Sequence, residues 1–261
     1  MRFADCHRTG VQFPPAPFVS CAARNLFARL RLMLTLAIET SNPSAFSPES
    51  RFAPGVALLS DSKRASEPIR TDDPHIDDLM ACVERLCTRE QVTPRMIKRV
   101  AVSVGPGGYT ATRLAVTAAK LIAEATGAAC VPVPTALVVA QRVEATGKPF
   151  AIALASKGPT AFITAFDSNR RVMRDGEVMN AETFLTRGIR TLIADRFVPL
   201  EFIETQRRGE LQIIAPEFDP IACAEVSAQL DALDPAALSP LYPREPEAVT
   251  KWRELRGAKS L

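Results

Sequence analysis

Beyond Met33 the apolar pattern runs in a fixed order: three strand-like segments in succession, then helix and strand in alternation, then two strands again. The first strands are about 34–39, the run Gly55–Leu59 and a third ending near Arg70, with the Pro- and Ser-rich stretch Asn42–Pro54 as a long insertion between the first two. Asp73 as N-cap and Pro74 at the first helical position then start a helix whose Ile76, Leu79, Met80, Val83, Leu86 and Cys87 fall three and four apart on one stripe. Val100–Val104 reads as a buried strand that passes through Gly105, Gly107 and Gly108 into a second helix, Thr110–Ala125, closed by Gly127.

That second helix is rich in alanine, with Ala111, Ala115, Ala118, Ala119 and Ala123 leaving room for another helix to come close and Leu114, Leu121 and Ile122 adding apolar contact. A strand at Cys130–Val133 and a helix from about Thr135 to Glu144 complete one unit. Strands at Phe150–Ala155 and Ala161–Asp167 restart the pattern. A three-strand meander followed by alternating helix and strand is the ribonuclease-H-like order, and its restart predicts an α/β, two-lobed actin-like (ASKHA) fold. Later elements are sparse, at Thr191–Ala194, Leu211–Ile214 and Ile221–Leu230, so the second lobe is expected to be reduced. The expected division is an N-terminal extension over 1–32, an N-terminal partner-binding lobe over 33–147, a reduced lobe over 148–239 and a tail over 240–261. Residues 1–32 show no sustained period, which makes Met33 the expected true start; Arg24, Arg29 and Arg31 interrupt any secretion signal.

Composition removes several classes of function. The formal net charge of +3 is too small to argue for direct nucleic-acid binding, and the basic residues are scattered. Cys6, Cys21, Cys82, Cys87, Cys130 and Cys223 form no CxxC pair and have no histidine at ligand spacing, so no zinc or other metal site is expected and reduced thiols are. No apolar run approaches the roughly 20 residues of a membrane span. A cytoplasmic protein without membrane contact is the expectation.

Glycines after a strand and before a helix place backbone N–H groups at the helix N-terminus, where an anion or nucleotide phosphate can bind; Gly105, Gly107, Gly108, Thr110 and Arg113 are the residues such a site would use. The same glycines serve equally to let the chain turn sharply against its sheet. No Lys-Ser or Lys-Thr follows, so this is not a Walker loop. No GxSxG elbow or comparable triad occurs, and no catalytic residue is assigned.

The stretch Gly105-Pro106-Gly107-Gly108-Tyr109-Thr110-Ala111-Thr112-Arg113 resembles the GPGSFTGxR signature of the TsaB (YeaZ) family, relatives of the glycoprotease-like TsaD proteins. Leu36–Ser41 is similar to its opening LAIDTS strand, His75 with Leu79-Met80 to its HxxxLLP helix, and Pro132–Leu137 to its GVSTLEAL segment. Leu241-Tyr242-Pro243-Arg244 and Lys251-Trp252 resemble the closing PVYLR and KW elements. The chain departs from the family's IDARRxEVY pattern, where Ala155 and Thr160 replace acidic residues, and from its signature serine, where Gly108 stands.

The resemblance implies a non-catalytic subunit of the complex that forms N6-threonylcarbamoyladenosine (t6A) in tRNA, binding a TsaD-like catalytic subunit and working with a TsaE-like ATPase. It further implies tRNA met only indirectly, a helical face open to a homodimer as well as to the partner, with monomer or dimer in isolation left open, no tightly bound cofactor, and ATP or ADP only at an interface with the partner. The two N-lobe helices form the partner interface in that family, which points to His75, Ile76, Leu79, Met80, Val83, Ala111, Leu114, Ala115, Ala118, Ala119 and Ile122. Ordinary lobe packing accounts for part of both stripes. Two other readings stand beside this one: a free-standing actin-like ATPase or kinase, and a homodimeric interaction protein unconnected to tRNA.

Overall fold

The structure, a computed structural model, describes residues 33–45, 50–69, 78–144, 147–244 and 252. The extension 1–32, the helix start at Asp73 and Pro74, His75, Ile76 and Lys251 lie outside the described residues. Strand β1 (Thr35–Glu39) pairs antiparallel with β2 (Gly55–Leu59), which pairs antiparallel with β3 (Arg64–Pro68). On the other side β1 pairs parallel with β4 (Arg99–Gly105), and β4 with β5 (Ala129–Pro134). The first sheet therefore runs β3-β2-β1-β4-β5.

Helix α1 (Leu79–Arg89) and helix α2 (Tyr109–Thr126) cover one face of this sheet. In α1 the buried residues are Leu79, Cys82, Val83 and Leu86, the spacing of one helical face. Arg85 fixes its angle through a paired contact with Asp78 at 2.8 and 2.7 Å and a 3.1 Å contact to Glu67 on β3. In α2 the face against the sheet is Thr112, Ala115, Val116, Ala118, Ala119 and Ala123, and side chains this small let the helix axis lie close to β4. Gly127, at φ +68°, ends the helix in the left-handed conformation.

The second sheet repeats the first. Strands β6 (Phe150–Lys157), β7 (Thr160–Phe166) and β8 (Val172–Met179) form an antiparallel meander, and β9 (Thr191–Ala194) and β10 (Gln212–Ile214) add in parallel, giving β8-β7-β6-β9-β10. The second lobe is thus not reduced in strands. It is reduced in helices: α4 (Ala181–Leu185) and α5 (Leu200–Arg207) stand where α1 and α2 stand in the first lobe, and both are shorter. Strand β8 escapes a reading by alternation because it is an edge strand exposed along most of its length and interrupted by register shifts opposite Ile163, Ala165 and Phe166.

The two sheets share their remaining helices. Helix α3 (Thr135–Ala140), shorter than expected, follows β5 but packs Ala136, Val139 and Ala140 against Phe150, Ile152, Leu154, Phe166 and Ile193 of the second sheet. Phe150 and Phe166 stack there at 5.3 Å. Helix α6 (Pro220–Ser227) follows β10 but packs Ile221, Ala222, Cys223, Ala224 and Val226 against Ala37, Ala57, Ala101, Val131 and Val133 of the first sheet. Each lobe's last helix therefore completes the other lobe's core.

Gly176 on β8 is required by close approach rather than by backbone angle: a Cβ placed there would lie 2.0 Å from Cζ of Phe162. Gly176→Ala is expected to destabilise the chain by about 1–3 kcal/mol through overpacking, and Phe162→Leu to recover part of the loss. Thermal or urea unfolding of the single and double variants checks this; a neutral Gly176→Ala would contradict the packing described.

Candidate functional site

The carboxyl ends of β1 and β4 meet at a buried carboxylate. Glu39, the last residue of β1, is fully buried, and its Oε1 accepts from the Ser41 amide at 2.9 Å and the Ser41 hydroxyl at 2.7 Å. Its Oε2 has no hydrogen-bond partner among the described residues. Burial pushes the carboxyl above the usual carboxylate range, the two Ser41 bonds pull it back down in part, and Asp219 raises it further. Nearby, the Ser103 and Thr135 hydroxyls bond each other at 2.7 Å.

Asp219 caps α6 by accepting from the Ile221 amide at 2.8 Å, and it accepts from Arg142 Nε at 2.6 Å. Arg142 also reaches Glu225 at 3.1 Å and lies 5.2 Å from the centre of the Phe52 ring, so the long loop after β1 is tied to the start of α6. The Asp219-Pro220 pair carries the N-cap and first-turn proline signal of a helix start, by which sequence reading could have found this site.

The glycine turn is shaped by its contact with the loop after β1. Gly108 donates its amide to the Ser41 carbonyl at 2.7 Å, and a Cβ on Gly107 would sit 2.3 Å from that same oxygen. Gly105 lies at φ +99°, the left-handed region that favours glycine. Of the two roles open to these glycines, the structure displays the sharp turn against the sheet.

Of the five residues expected at an anion, two are engaged within the chain. The Gly108 amide is occupied by Ser41, and Arg113 donates from Nε to the Tyr242 hydroxyl at 2.6 Å with its guanidinium 4.1 Å above the Tyr109 ring. Thr110 is exposed on the first turn of α2. The Gly108 amide and the Arg113 Nε–H thus face groups of the same chain, and the Glu39 carboxyl at the end of β1 is buried. Among the described residues no group of three or more His, Cys, Asp or Glu is placed to hold a metal ion.

The expected partner-contact residues divide sharply. Leu79, Val83, Ala115, Ala118 and Ala119 are buried in the lobe's own core and have no surface to offer a partner, which corrects the expectation for these five. Ala111 and Ile122 are half-buried, and Ile122 packs on the same core. Met80 and Leu114 are exposed, and they are joined by Tyr109 and by Leu121, which at 64% is the most exposed large apolar side chain on either helix. A three-and-four spacing identifies the face a helix buries; it does not say against what.

Glu39 carries a measurable consequence. Its folded carboxyl titrates above the usual Glu range, so its contribution to stability is fully present below that range and is lost as pH rises through the folded value. Unfolding free energies measured from pH 8 down to pH 5 are expected to rise for the wild type relative to Glu39→Gln, which keeps an oxygen for Ser41 but cannot ionise. Parallel pH profiles for the two proteins would show that the carboxyl does not titrate in this way.

Comparison with known proteins agrees with the geometry. A family model described as TsaD, tRNA N6-adenosine threonylcarbamoyltransferase, matches residues 63–184, somewhat short of half the chain. Among solved structures, an uncharacterized protein with similarity to the peptidase YEAZ, from Pseudomonas aeruginosa, superposes with a TM-score of 0.63 at 18% identity, over 81% of this chain and 100% of that one. YeaZ from Pseudomonas aeruginosa superposes with a TM-score of 0.60 at 16% identity, over 80% of this chain and 99% of that one. At such identities the structures speak for the fold. No curated protein sequence matches. The chain is thus similar to the TsaD family model over 63–184 and shares its two-lobed fold with the YeaZ structures over their whole length.

Proposed function

We propose that this chain is a non-catalytic subunit of a t6A-forming complex, binding and activating a TsaD-like catalytic subunit through the outer faces of α1 and α2. The observation that carries the reading is the apolar surface of those helices. Met80, Tyr109, Leu114 and Leu121 are exposed on two helices that lie on the same face of one sheet, while the residues behind them are fully engaged in the lobe core. Leu114 and Leu121, seven residues apart, share one side of α2, and large apolar side chains on a common exposed face mark an interaction surface better than scattered ones do.

The chemistry then belongs to the partner. In this chain the glycine turn is filled by the Ser41 carbonyl, and Ala155 and Thr160 stand where the resembled pattern has carboxylates. A TsaE-like ATPase and the tRNA are further members of the assembly, with the tRNA held by other subunits in keeping with the small net charge of +3. ATP or ADP, where it binds at all, sits at the interface with the partner. In isolation the same apolar face serves a homodimer. A cytoplasmic place follows from this function, and no helix among the described residues is long and apolar enough to cross a membrane.

Two sets of substitutions separate surface from core. Leu121→Glu combined with Leu114→Glu is expected to weaken binding to the TsaD-like subunit about tenfold or more, with the melting temperature little changed. Ala119→Leu is expected to cost about 1–3 kcal/mol of stability by overpacking the α2–sheet contact. Calorimetric titration beside thermal melts reads both; full-strength binding by the double Glu variant would sink this placement of the interface.

A further inference from the structure

The segment Leu241–Arg244 touches both lobes within four residues. At its start, the Leu241 amide donates to the Val104 carbonyl at the end of β4 at 2.7 Å. A Cβ on Gly105 would lie 3.2 Å from the Leu241 carbonyl. Next, the Tyr242 hydroxyl accepts from Arg113 on α2, and its ring stands 5.6 Å from that of Tyr109. At its end, Arg244 crosses to the second lobe and donates to the Ala155 carbonyl at 2.5 Å, the Thr160 carbonyl at 3.1 Å and the Thr160 hydroxyl at 2.8 Å.

Those last three acceptors flank the β6–β7 hairpin, where the pairing shifts register between Leu154 and Lys157 and Ala155 takes φ +48°. Ala155 falls between the paired residues Leu154 and Lys157, and Arg244 donates to its carbonyl. Between the two anchors, Leu241 helps line a cavity of about 40 Å³ together with Pro106, Pro134 and Leu137 of the first lobe and Phe162 and Gly176 of the second. Elsewhere at this junction Arg196, just after β9, donates to the Ser44 carbonyl at 2.8 Å in an exposed contact. The segment is the more extensively bonded of these two ties, since it combines a backbone bond, a ring contact and a half-buried guanidinium.

We propose that Leu241–Arg244 is a strap that locks the two lobes together at the carboxyl ends of their central strands, coupling the glycine turn and the start of α2 to the β6–β7 hairpin. The exchanged helices α3 and α6 already hold the lobes together, and the strap adds a direct tie between the glycine turn and the β6–β7 hairpin. Release of either anchor frees both the turn and the hairpin, because a link between two sites acts equally in both directions. The strap thereby makes the first turn of α2 sensitive to the state of the second lobe.

Amide hydrogen exchange on the full-length chain tests the coupling. Arg244→Ala, which removes the second-lobe anchor, is expected to speed exchange about tenfold not only over 155–160 but also over 105–111 in the other lobe, with the amides of α1 unchanged. Tyr242→Ala, which removes both the Arg113 bond and the ring contact with Tyr109 from the first-lobe anchor, is expected to speed exchange over 155–160. Should Arg244→Ala also loosen α1 and so lose the fold, Arg244→Lys is read by the same two regions. Faster exchange confined to the altered anchor's own lobe, in either variant, would overturn the strap.

Discussion

The exchange of helices between the two sheets is the constraint on which the rest depends. A five-stranded mixed sheet has two apolar faces, and in the first lobe α1 and α2 cover only one of them. The other face is closed by α6, which the chain reaches only after completing the second sheet, while α3 bridges the two, with Val138 in the first core and Ala136, Val139 and Ala140 in the second. Neither lobe has a finished core alone. The same exchange brings Asp219, the cap of α6, and Cys223 to the end of β1, where the Asp219 charge raises the Glu39 carboxyl and burial with Glu39 beside it raises the Cys223 thiol.

From that packing follows the character of the site. Strands β1 and β4 end side by side, and the loop after β1 folds back until its Ser41 carbonyl occupies the inside of the glycine turn. A turn drawn this tight against a neighbouring loop launches α2 at a fixed angle. The result is a rigid helical face on one side of a lobe whose interior polar groups are turned toward one another. Reactive thiols are missing from the described core as well: burial pushes Cys82 and Cys130 up to about 11, and Cys223 well above its ordinary value.

Much of this was legible in the sequence, and the exceptions have physical causes. The meander, the glycine turn and the alanine helix each carry a strong local signal, and their order alone gives the two-lobed fold. Strand β8 does not, because a bulged edge strand with charge on both faces has no alternation to detect, and its glycine is explained only by Phe162 across the sheet. Both N-lobe stripes read as apolar faces, yet Leu79, Val83, Ala115 and Ala119 are core while Leu121, expected to add apolar contact to a neighbouring helix, is surface. Local periodicity cannot make that distinction, since a helix buries a face in the same pattern whether the covering element is its own sheet or another chain. Arg113 was likewise visible as a cation beside the turn, but Tyr242, far along the chain, decides what it faces.

The central claim is that this chain enables chemistry performed by another subunit. Reconstituted t6A formation, with the TsaD-like subunit, the TsaE-like ATPase and a threonylcarbamoyl donor present and this chain added or withheld, tests it most directly. The account predicts modified tRNA only when the chain is included, and no sustained ATP turnover by the chain alone. Full modification without it, or vigorous turnover by the isolated protein, would contradict the account.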